Sequence, residues 1–101
     1  MRGFPLLTGR NTIPKILMEA QINKSFDHWV GVFDADNEVR LANGFTSIYR
    51  GHKLDDPSTI VVLMDGDPSK MEEFMSQPEQ AKTIEEAGHI VESNKVTVLS
   101  D

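Results

Sequence analysis

The feature that most constrains the fold is a five-residue apolar run, IVVLM at residues 60–64, between two segments typical of turns. Residues 55–58 (DDPS) precede the run and residues 66–69 (GDPS) follow it. A short run that is rich in β-branched residues predicts a strand over residues 59–65. Because side chains alternate between the two faces of a strand, an unbroken apolar run also predicts that both faces are covered.

The residues upstream of this run predict a strand and a helix. In residues 13–22 (IPKILMEAQI) every second position from Ile16 is apolar, which indicates a first strand with Pro14 at its beginning. Ser25 is a favourable N-cap, and it is followed by apolar residues at i, i+3, i+4 and i+7, namely Phe26, Trp29, Val30 and Phe33. This spacing predicts a helix that ends at Asn43-Gly44, with a break near Asp36.

The rest of the chain predicts two further strands and a broken helix. Residues 45–54 (FTSIYRGHKL) are typical of a strand, and the short turn after them predicts an antiparallel hairpin with the apolar run. Asp67 and Pro68 predict a helix start, Pro78 predicts a break in that helix, and Gly88 predicts its end. Residues 90–100 predict the last strand, with a bulge or bend in the polar segment 92–95.

The order of these elements is β, α, β, β, α, β, which predicts an α+β, ferredoxin-like fold. In this fold a four-stranded antiparallel sheet carries both helices on one face. The other face of the sheet stays open, and the run at 60–64 would leave apolar side chains there. A second copy packed sheet against sheet would cover them, so the sequence predicts a homodimer in the manner of a dimeric α/β barrel.

Four short motifs resemble a known family: residues 23–29 (NKSFDHW), 47–51 (SIYRG), 55–57 (DDP) and 87–93 (AGHIVES). They look like an uncharacterised domain family of small cyanobacterial proteins. That family in turn resembles the dimeric α/β-barrel superfamily, which includes cofactor-independent antibiotic-biosynthesis-type monooxygenases and small stress-response proteins. The resemblance covers about residues 13–100. It implies a ferredoxin-like dimer, and it transfers no activity and no catalytic residues.

Length and composition limit the class of protein. A chain of 101 residues supports one domain, here residues 13–101, and the aperiodic residues 1–12 are expected to form a poorly ordered tail. The absence of cysteine excludes disulfides and zinc–thiolate sites. No apolar run reaches the ~18 residues that a membrane helix needs. The protein is therefore expected in the cytoplasm, without a membrane partner.

The net charge of −6 is unevenly distributed along the chain. Seven basic and five acidic residues lie in the part that ends at Lys53, and three basic and eleven acidic residues follow it. The basic residues are dispersed, whereas binding to phosphate backbones needs clustered Lys and Arg. We therefore expect no nucleic-acid partner.

The segment from Tyr49 to His52 is the strongest candidate for a ligand site. Strand alternation places Tyr49 and Gly51 on one face, and Arg50 and His52 on the other. Arg50 and His52 together could bind a carboxylate or phosphate, or polarise a carbonyl oxygen. Trp29 could line a pocket between the first helix and the sheet. The candidate ligand-binding residues are thus Trp29, Tyr49, Arg50 and His52.

Each of these candidates has a structural alternative. Trp29 on an apolar stripe is typical of a core residue, and Arg50 could pair with Asp55, Asp56 or Asp65. His28, His52 and His89 match no compact metal motif, and His89 could meet the carbonyls at the preceding helix end. Asp34, Asp36 and Glu38 lack the pattern of a calcium loop. No catalytic residue, metal site or cofactor is predicted.

Two hypotheses of function follow. The first is a non-enzymatic or regulatory homodimer that binds a small molecule or a protein. The alternative is a cofactor-independent, monooxygenase-like or isomerase-like enzyme in which His52 carries a proton and Arg50 stabilises an anion. A pocket lined by Arg50, His52 and an aromatic side chain would favour the enzyme.

Overall fold

Four antiparallel strands form one sheet in the order β2-β3-β1-β4 in the computed structural model, which describes residues 13–101. The predicted tail, residues 1–12, lies outside the described residues. The sheet carries helices on one face, which confirms the predicted ferredoxin-like fold. The elements in chain order are β1 (Lys15–Ile22), α1 (Phe26–Ala35), α2 (Asn37–Ala42), β2 (Thr46–Lys53), β3 (Asp56–Asp65), a 3₁₀ turn (Pro68–Lys70), α3 (Met71–Ser76), α4 (Pro78–Glu86) and β4 (His89–Leu99).

Both helical regions are broken where the sequence predicted. The first breaks at Asp36, whose backbone N–H donates to carbonyls of α1 while the residue caps α2. The second breaks at Gln77, because the ring of Pro78 cannot continue the preceding helix. Predicted N-caps are confirmed at Ser25, whose Oγ accepts from the backbone of His28 at 3.1 Å, and at Asp67.

The strand alternation sorts the sheet into a covered face and an open face. On β3 the side chains of Ile60 and Val62 are completely buried beneath the helices. Val61 and Leu63 are half-buried on the opposite face, against which no described helix packs, and we call this the open face. Residues 13–101 of a single chain therefore cover only one of the two faces that the apolar run was expected to bury.

The β2–β3 hairpin is tighter than the sequence predicted. Only Leu54 and Asp55 separate the strands, and β3 starts at Asp56 rather than at Thr59. Asp56 accepts hydrogen bonds from the Ser58 backbone and the Thr59 hydroxyl, which stabilises this end of the strand. Pro57 is tolerated because the register shifts between His52 and Lys53, so the ladder is irregular there.

A bulge in β4 confirms the irregularity predicted near residues 92–95. Lys95 pairs with Glu19 and Ile90 pairs with Gln21, so four residues of β4 lie opposite one residue of β1. Ser93 closes the gap, since its hydroxyl accepts from the Gln21 backbone at 2.7 Å and donates to the carbonyl of Ile90. β4 also begins one residue earlier than predicted, at His89.

None of the helices in residues 13–101 has the length and apolar character needed to cross a membrane.

Candidate functional site

A cavity of about 60 Å³ lies between the sheet and the two helical regions. Aromatic rings and thioethers form a large part of its wall, contributed by Trp29, Phe33, Phe45, Phe74, Met18, Met64, Met71 and Met75. Three polar side chains that are nine-tenths buried also reach it, which are Arg40, Gln80 and His89. Buried polar groups in an apolar wall are costly unless they are paired, so these side chains identify the chemically distinctive part of the cavity.

Arg40 is a buried cation whose guanidinium has more N–H donors than it uses in hydrogen bonds to residues 13–101. It is 5% exposed, and its guanidinium carbon lies 3.6 Å from the ring centroid of Phe33. Nε donates to the Ser47 hydroxyl at 3.2 Å, and Nη1 lies 3.7 Å from Asp36 Oδ2, beyond hydrogen-bond distance. Nε is the only guanidinium nitrogen of Arg40 that donates a hydrogen bond within residues 13–101. Burial lowers the pKa of Arg40, and Asp36 and Asp34 oppose that shift, so the side chain remains charged.

Asp36 and Gln80 connect the two helical regions at the cavity. Gln80 Nε2 on α4 donates to Asp36 Oδ2 at 2.6 Å, and both residues line the cavity. This bond satisfies the carboxylate oxygen that lies nearest to Arg40. The Nη groups of Arg40 therefore share Asp36 with a closer donor and remain available to a ligand.

His89, at the start of β4, is a neutral imidazole at the cavity wall. Its Nε2 lies 2.6 Å from Asn94 Oδ1. Because an amide oxygen can only accept, Nε2 carries the proton and Nδ1 keeps its lone pair. Burial lowers the pKa of His89, against the opposing effect of the bond to Asn94. The prediction that His89 meets helix carbonyls is wrong; His28 does so instead, with Nε2 at 2.8 Å from the carbonyl of Glu86.

Trp29 belongs both to the core and to the cavity wall. It is 2% exposed, and its ring stacks on Phe26 and Phe33 at centroid distances of 5.8 and 4.8 Å. The same side chain lines the cavity. The core interpretation and the pocket interpretation of Trp29 are thus compatible.

The other three predicted residues lie away from the cavity. Arg50 and Tyr49 line an outer groove of about 550 Å³ beside β2. Arg50 forms a bidentate pair with Asp34 at 2.8 and 2.6 Å, which lowers the pKa of Asp34. The prediction of a partner among Asp55, Asp56 and Asp65 is therefore wrong, because α1 rather than the hairpin faces this side of β2. His52 packs its ring edge on Phe26, with ring centroids 4.6 Å apart.

Sequence reasoning missed Arg40 and Gln80 as site residues, although both carry a signal. Arg40 follows Phe33 by seven residues, which places it on the apolar stripe of the first helical region. Gln80, Ile84 and Ala87 recur at i, i+4 and i+7, so Gln80 shares the apolar face of α4. A polar residue on an apolar helix face was the available signal. No three His, Cys, Asp or Glu side chains cluster as a metal site anywhere in residues 13–101.

Comparison with known protein families identifies the family of the domain. A family model described as a domain of unknown function, DUF3764, matches residues 14–101. The chain belongs to this family. A search of functionally curated proteins finds no significant relative of this DUF3764 domain.

Solved structures resemble the DUF3764 domain in fold. A protein from Nitrosomonas europaea assigned to the antibiotic biosynthesis monooxygenases has a TM-score of 0.66 and 11% identity, over 94% of this chain and 95% of its own. A protein with the same assignment from Bordetella bronchiseptica has a TM-score of 0.70 and 8% identity, over 90% and 98%. SnoaB, a cofactor-independent oxygenase from Streptomyces nogalater, has a TM-score of 0.57 and 12% identity, over 89% and 91%. At such identities the likeness shows the fold alone.

Proposed function

We propose that this DUF3764 protein binds a small, mostly apolar molecule in the cavity, with an acceptor oxygen of the ligand at Arg40. The observation that carries the proposal is a buried guanidinium whose Nη groups make no hydrogen bond within residues 13–101. Leaving these Nη groups without an acceptor forgoes charge-assisted hydrogen bonds, which are about twice as strong as neutral ones. A carbonyl or similar oxygen from a ligand would supply that acceptor.

The cavity volume limits the part of the ligand that it can hold. Since a cavity needs about 15 Å³ of this kind of volume to hold one water molecule, 60 Å³ accommodates on the order of four non-hydrogen atoms. Met71, Met75, Ile84 and His89 form a wall shared with an outer groove of about 830 Å³ beside β4. Methionine side chains are flexible, so a longer ligand can displace this wall and extend into the groove.

The experiment is ligand screening by NMR on protein labelled at the methionine methyl groups. Small ketones, amides, alcohols and carboxylic acids are titrated in turn, and a cavity ligand shifts the methyl signals of Met18, Met64, Met71 and Met75. We expect Arg40→Met to weaken binding at least tenfold, while Lys82→Met, which removes an exposed charge from α4, leaves it unchanged. Equal affinities in Arg40→Met and the parent protein would contradict the role of Arg40.

The groove beside β2 is a second candidate surface within the same proposal. Tyr49 and Arg50 line it, and Arg50 could exchange Asp34 for the carboxylate or phosphate of a ligand. Arg50→Met separates the two sites. It should weaken the binding of an anion in this groove, and it should leave unchanged the methionine methyl shifts that a cavity ligand causes. The ion pair with Asp34 is exposed, so its loss costs little stability.

We further propose that the protein is a cytoplasmic homodimer that joins through the open face of the sheet. Val61 and Leu63 lie in the centre of that face, with the half-buried Leu17 beside Leu63 and the exposed Tyr49 on its other side. An apolar surface of this kind usually marks an interface.

The alternative function is a cofactor-independent oxygenase. The likeness in fold to SnoaB and to the assigned monooxygenases favours it, as does an apolar cavity with a neutral histidine. The test is oxygen uptake in an electrode cell when apolar ketones and phenols of increasing size are added without metal or flavin. Uptake that depends on the protein and falls in Trp29→Leu would favour this alternative over a binding module.

A further inference from the structure

We propose that His89 is a general base in the cavity, so that the protein catalyses proton transfer at the carbon next to a ketone carbonyl. The substrate class is small enolisable ketones, and the reaction class is enolisation and isomerisation. The inference rests on the proposed binding of a carbonyl compound beside Arg40, and it adds chemistry that binding alone does not need.

His89 is held in the state that a general base needs. A general base must be unprotonated near neutral pH and must have its lone pair near the substrate. Asn94 accepts the Nε2 proton at 2.6 Å, which leaves Nδ1 as the basic nitrogen, and the ring lines the cavity. Nδ1 makes no hydrogen bond to any group in residues 13–101.

The bulge in β4 presents Asn94 to the ring of His89. Residues 91–94 lie opposite Ala20 alone, and Ser93 satisfies the backbone N–H that the bulge leaves unpaired. A regular strand would carry the side chain five residues after His89 to the opposite face of the sheet. The bulge instead returns Asn94 to the ring of His89. β-Bulges are over-represented next to active sites, where they redirect a side chain in this way.

Arg40 and His89 line the same cavity. In the proposed step Nδ1 takes the proton from the α-carbon, and the C–H bonding pair forms a C=C bond. The carbonyl π pair moves to oxygen, and the enolate oxygen accepts hydrogen bonds from the Nη groups of Arg40. The imidazolium then returns the proton to carbon, so the step needs no oxidant, reductant or cofactor.

The test measures deuterium exchange into acetone, a ketone of four non-hydrogen atoms, in D₂O at neutral pH. Proton NMR follows the loss of the methyl signal with the intact chain, with His89→Gln and with His28→Gln. His28 is exposed on α1 and serves as the control, and all three proteins keep the same lysines, whose amines contribute equal background exchange. We expect the parent and His28→Gln to exchange at equal rates and His89→Gln to be slower by at least tenfold, consistent with general-base catalysis.

Asn94 is a positioning residue, and two variants test this role. Asn94→Ala frees Nε2 and should lower exchange severalfold, whereas Asn94→Asp keeps an acceptor oxygen and should restore it. Nitrogen-15 spectra of the imidazole give an independent readout: loss of the acceptor in Asn94→Ala should shift the Nε2 resonance of His89, whereas Asn94→Asp should keep it near its position in the parent. Circular dichroism shows whether each variant is folded, and Asn94→Ala keeps the test usable if His89→Gln does not fold.

The outcomes separate this inference from the proposed function. If acetone shifts the methionine methyl signals and the parent exchanges no faster than His89→Gln, the protein binds ketones but His89 is not a general base. If acetone does not shift those signals at all, ketone binding in the cavity fails, and the inference fails with it. Methyl shifts together with exchange that requires both His89 and Arg40 support both.

Discussion

Gln80 donates a hydrogen bond to the nearly buried carboxylate of Asp36. Removing the Gln80 side chain should therefore lower the free energy of unfolding more than removing an exposed glutamine would. Asp36 Oδ2 receives the Gln80 amide at 2.6 Å, and Arg40 lies 3.7 Å away. Gln80→Ala leaves that oxygen with the longer contact alone. We expect a loss of about 1–3 kcal/mol in the free energy of unfolding, measured in urea. Lys82→Ala on the same helix should change it by less than about 0.5 kcal/mol, and similar losses in both variants would contradict this role.

Stability between pH 7 and 5 should depend on His89. Burial lowers the pKa of His89 in the folded protein below its ordinary value of 6.5, so folding favours the neutral ring. The stabilisation is fully present above pH 6.5 and is lost as the pH falls toward the folded pKa. The charged groups that share a wall with the ring are Arg40 and Asp36 at the cavity, and Glu72, Glu85 and Glu92 at the outer groove.

The measurement is the urea midpoint at pH 7, 6 and 5. The parent and His28→Gln should lose stability over this range, and His89→Gln should be flatter. The lowered pKa values of Asp34, Asp56 and Asp67 act only below about pH 4, so these carboxylates do not interfere. A His89→Gln curve parallel to that of the parent would refute the prediction.

The burial of single residues was easier to predict than which residues lie together in one site. The spacing of Phe26, Trp29 and Phe33 placed Trp29 on the buried face of α1, where it lies. The four predicted site residues do not form one site: Trp29 lines the cavity, Tyr49 and Arg50 line the groove beside β2, and His52 packs on Phe26. Arg40 was missed because a cation on a helix is ordinarily solvated. Its spacing from Phe33 placed it on the apolar stripe, but its burial also depends on the packing of α2 against β2.

At the level of elements, Gly88 joins α4 to β4 in a conformation that a side chain would disturb. Its φ is +84°, and an added Cβ would lie 2.8 Å from Lys24 Cγ and 2.9 Å from Asn23 Oδ1. Gly44 has a similar φ of +90° with open space around it. Gly44→Ala therefore measures the backbone strain alone, on the order of 1–2 kcal/mol. Gly88→Ala should cost clearly more in urea unfolding, and equal losses would show that the contacts with Asn23 and Lys24 relax freely.

Element boundaries followed the sequence wherever local chemistry decides them. Ser25 and Asp67 start helices, and the breaks at Asp36 and before Pro78 reflect capping and the missing proline N–H. The start of β3 was mispredicted because the sequence DDPS is typical of a wide turn. The ladder extends to Asp56 through pairing with Lys53, a contact that depends on the partner strand.

For the whole molecule, the order of elements was sufficient to predict the ferredoxin-like fold, because few topologies satisfy βαββαβ with short connections. The order of elements does not predict the cavity. Its walls come from β1, β3, β4 and both helical regions, so its volume depends on how closely these elements approach. Sequence patterns report which face is apolar, and they do not report how well two apolar faces fill the space between them.

The open face of the sheet gives the last prediction, which concerns assembly. Its central side chains are Leu17, Val61 and Leu63, and ion pairs flank them at both ends, Lys15 with Asp65 at 2.7 Å and Lys53 with Glu19 at 3.6 Å. A symmetric partner would bury the apolar centre and keep these charges at the rim, as in other interfaces. Light scattering after size exclusion at micromolar concentration should therefore give about twice the chain mass of 11.3 kDa.

Leu63→Lys should convert the dimer to a monomer, since it places a charge in the centre of the proposed interface. Leu54→Lys is the matched control, because Leu54 lies at the hairpin tip and is 97% exposed. The melting temperature of the parent should rise with protein concentration, whereas that of Leu63→Lys should not, as mass action requires for a dimer. A monomeric mass for the parent chain, with a melting temperature independent of concentration, would leave the open face without its proposed partner.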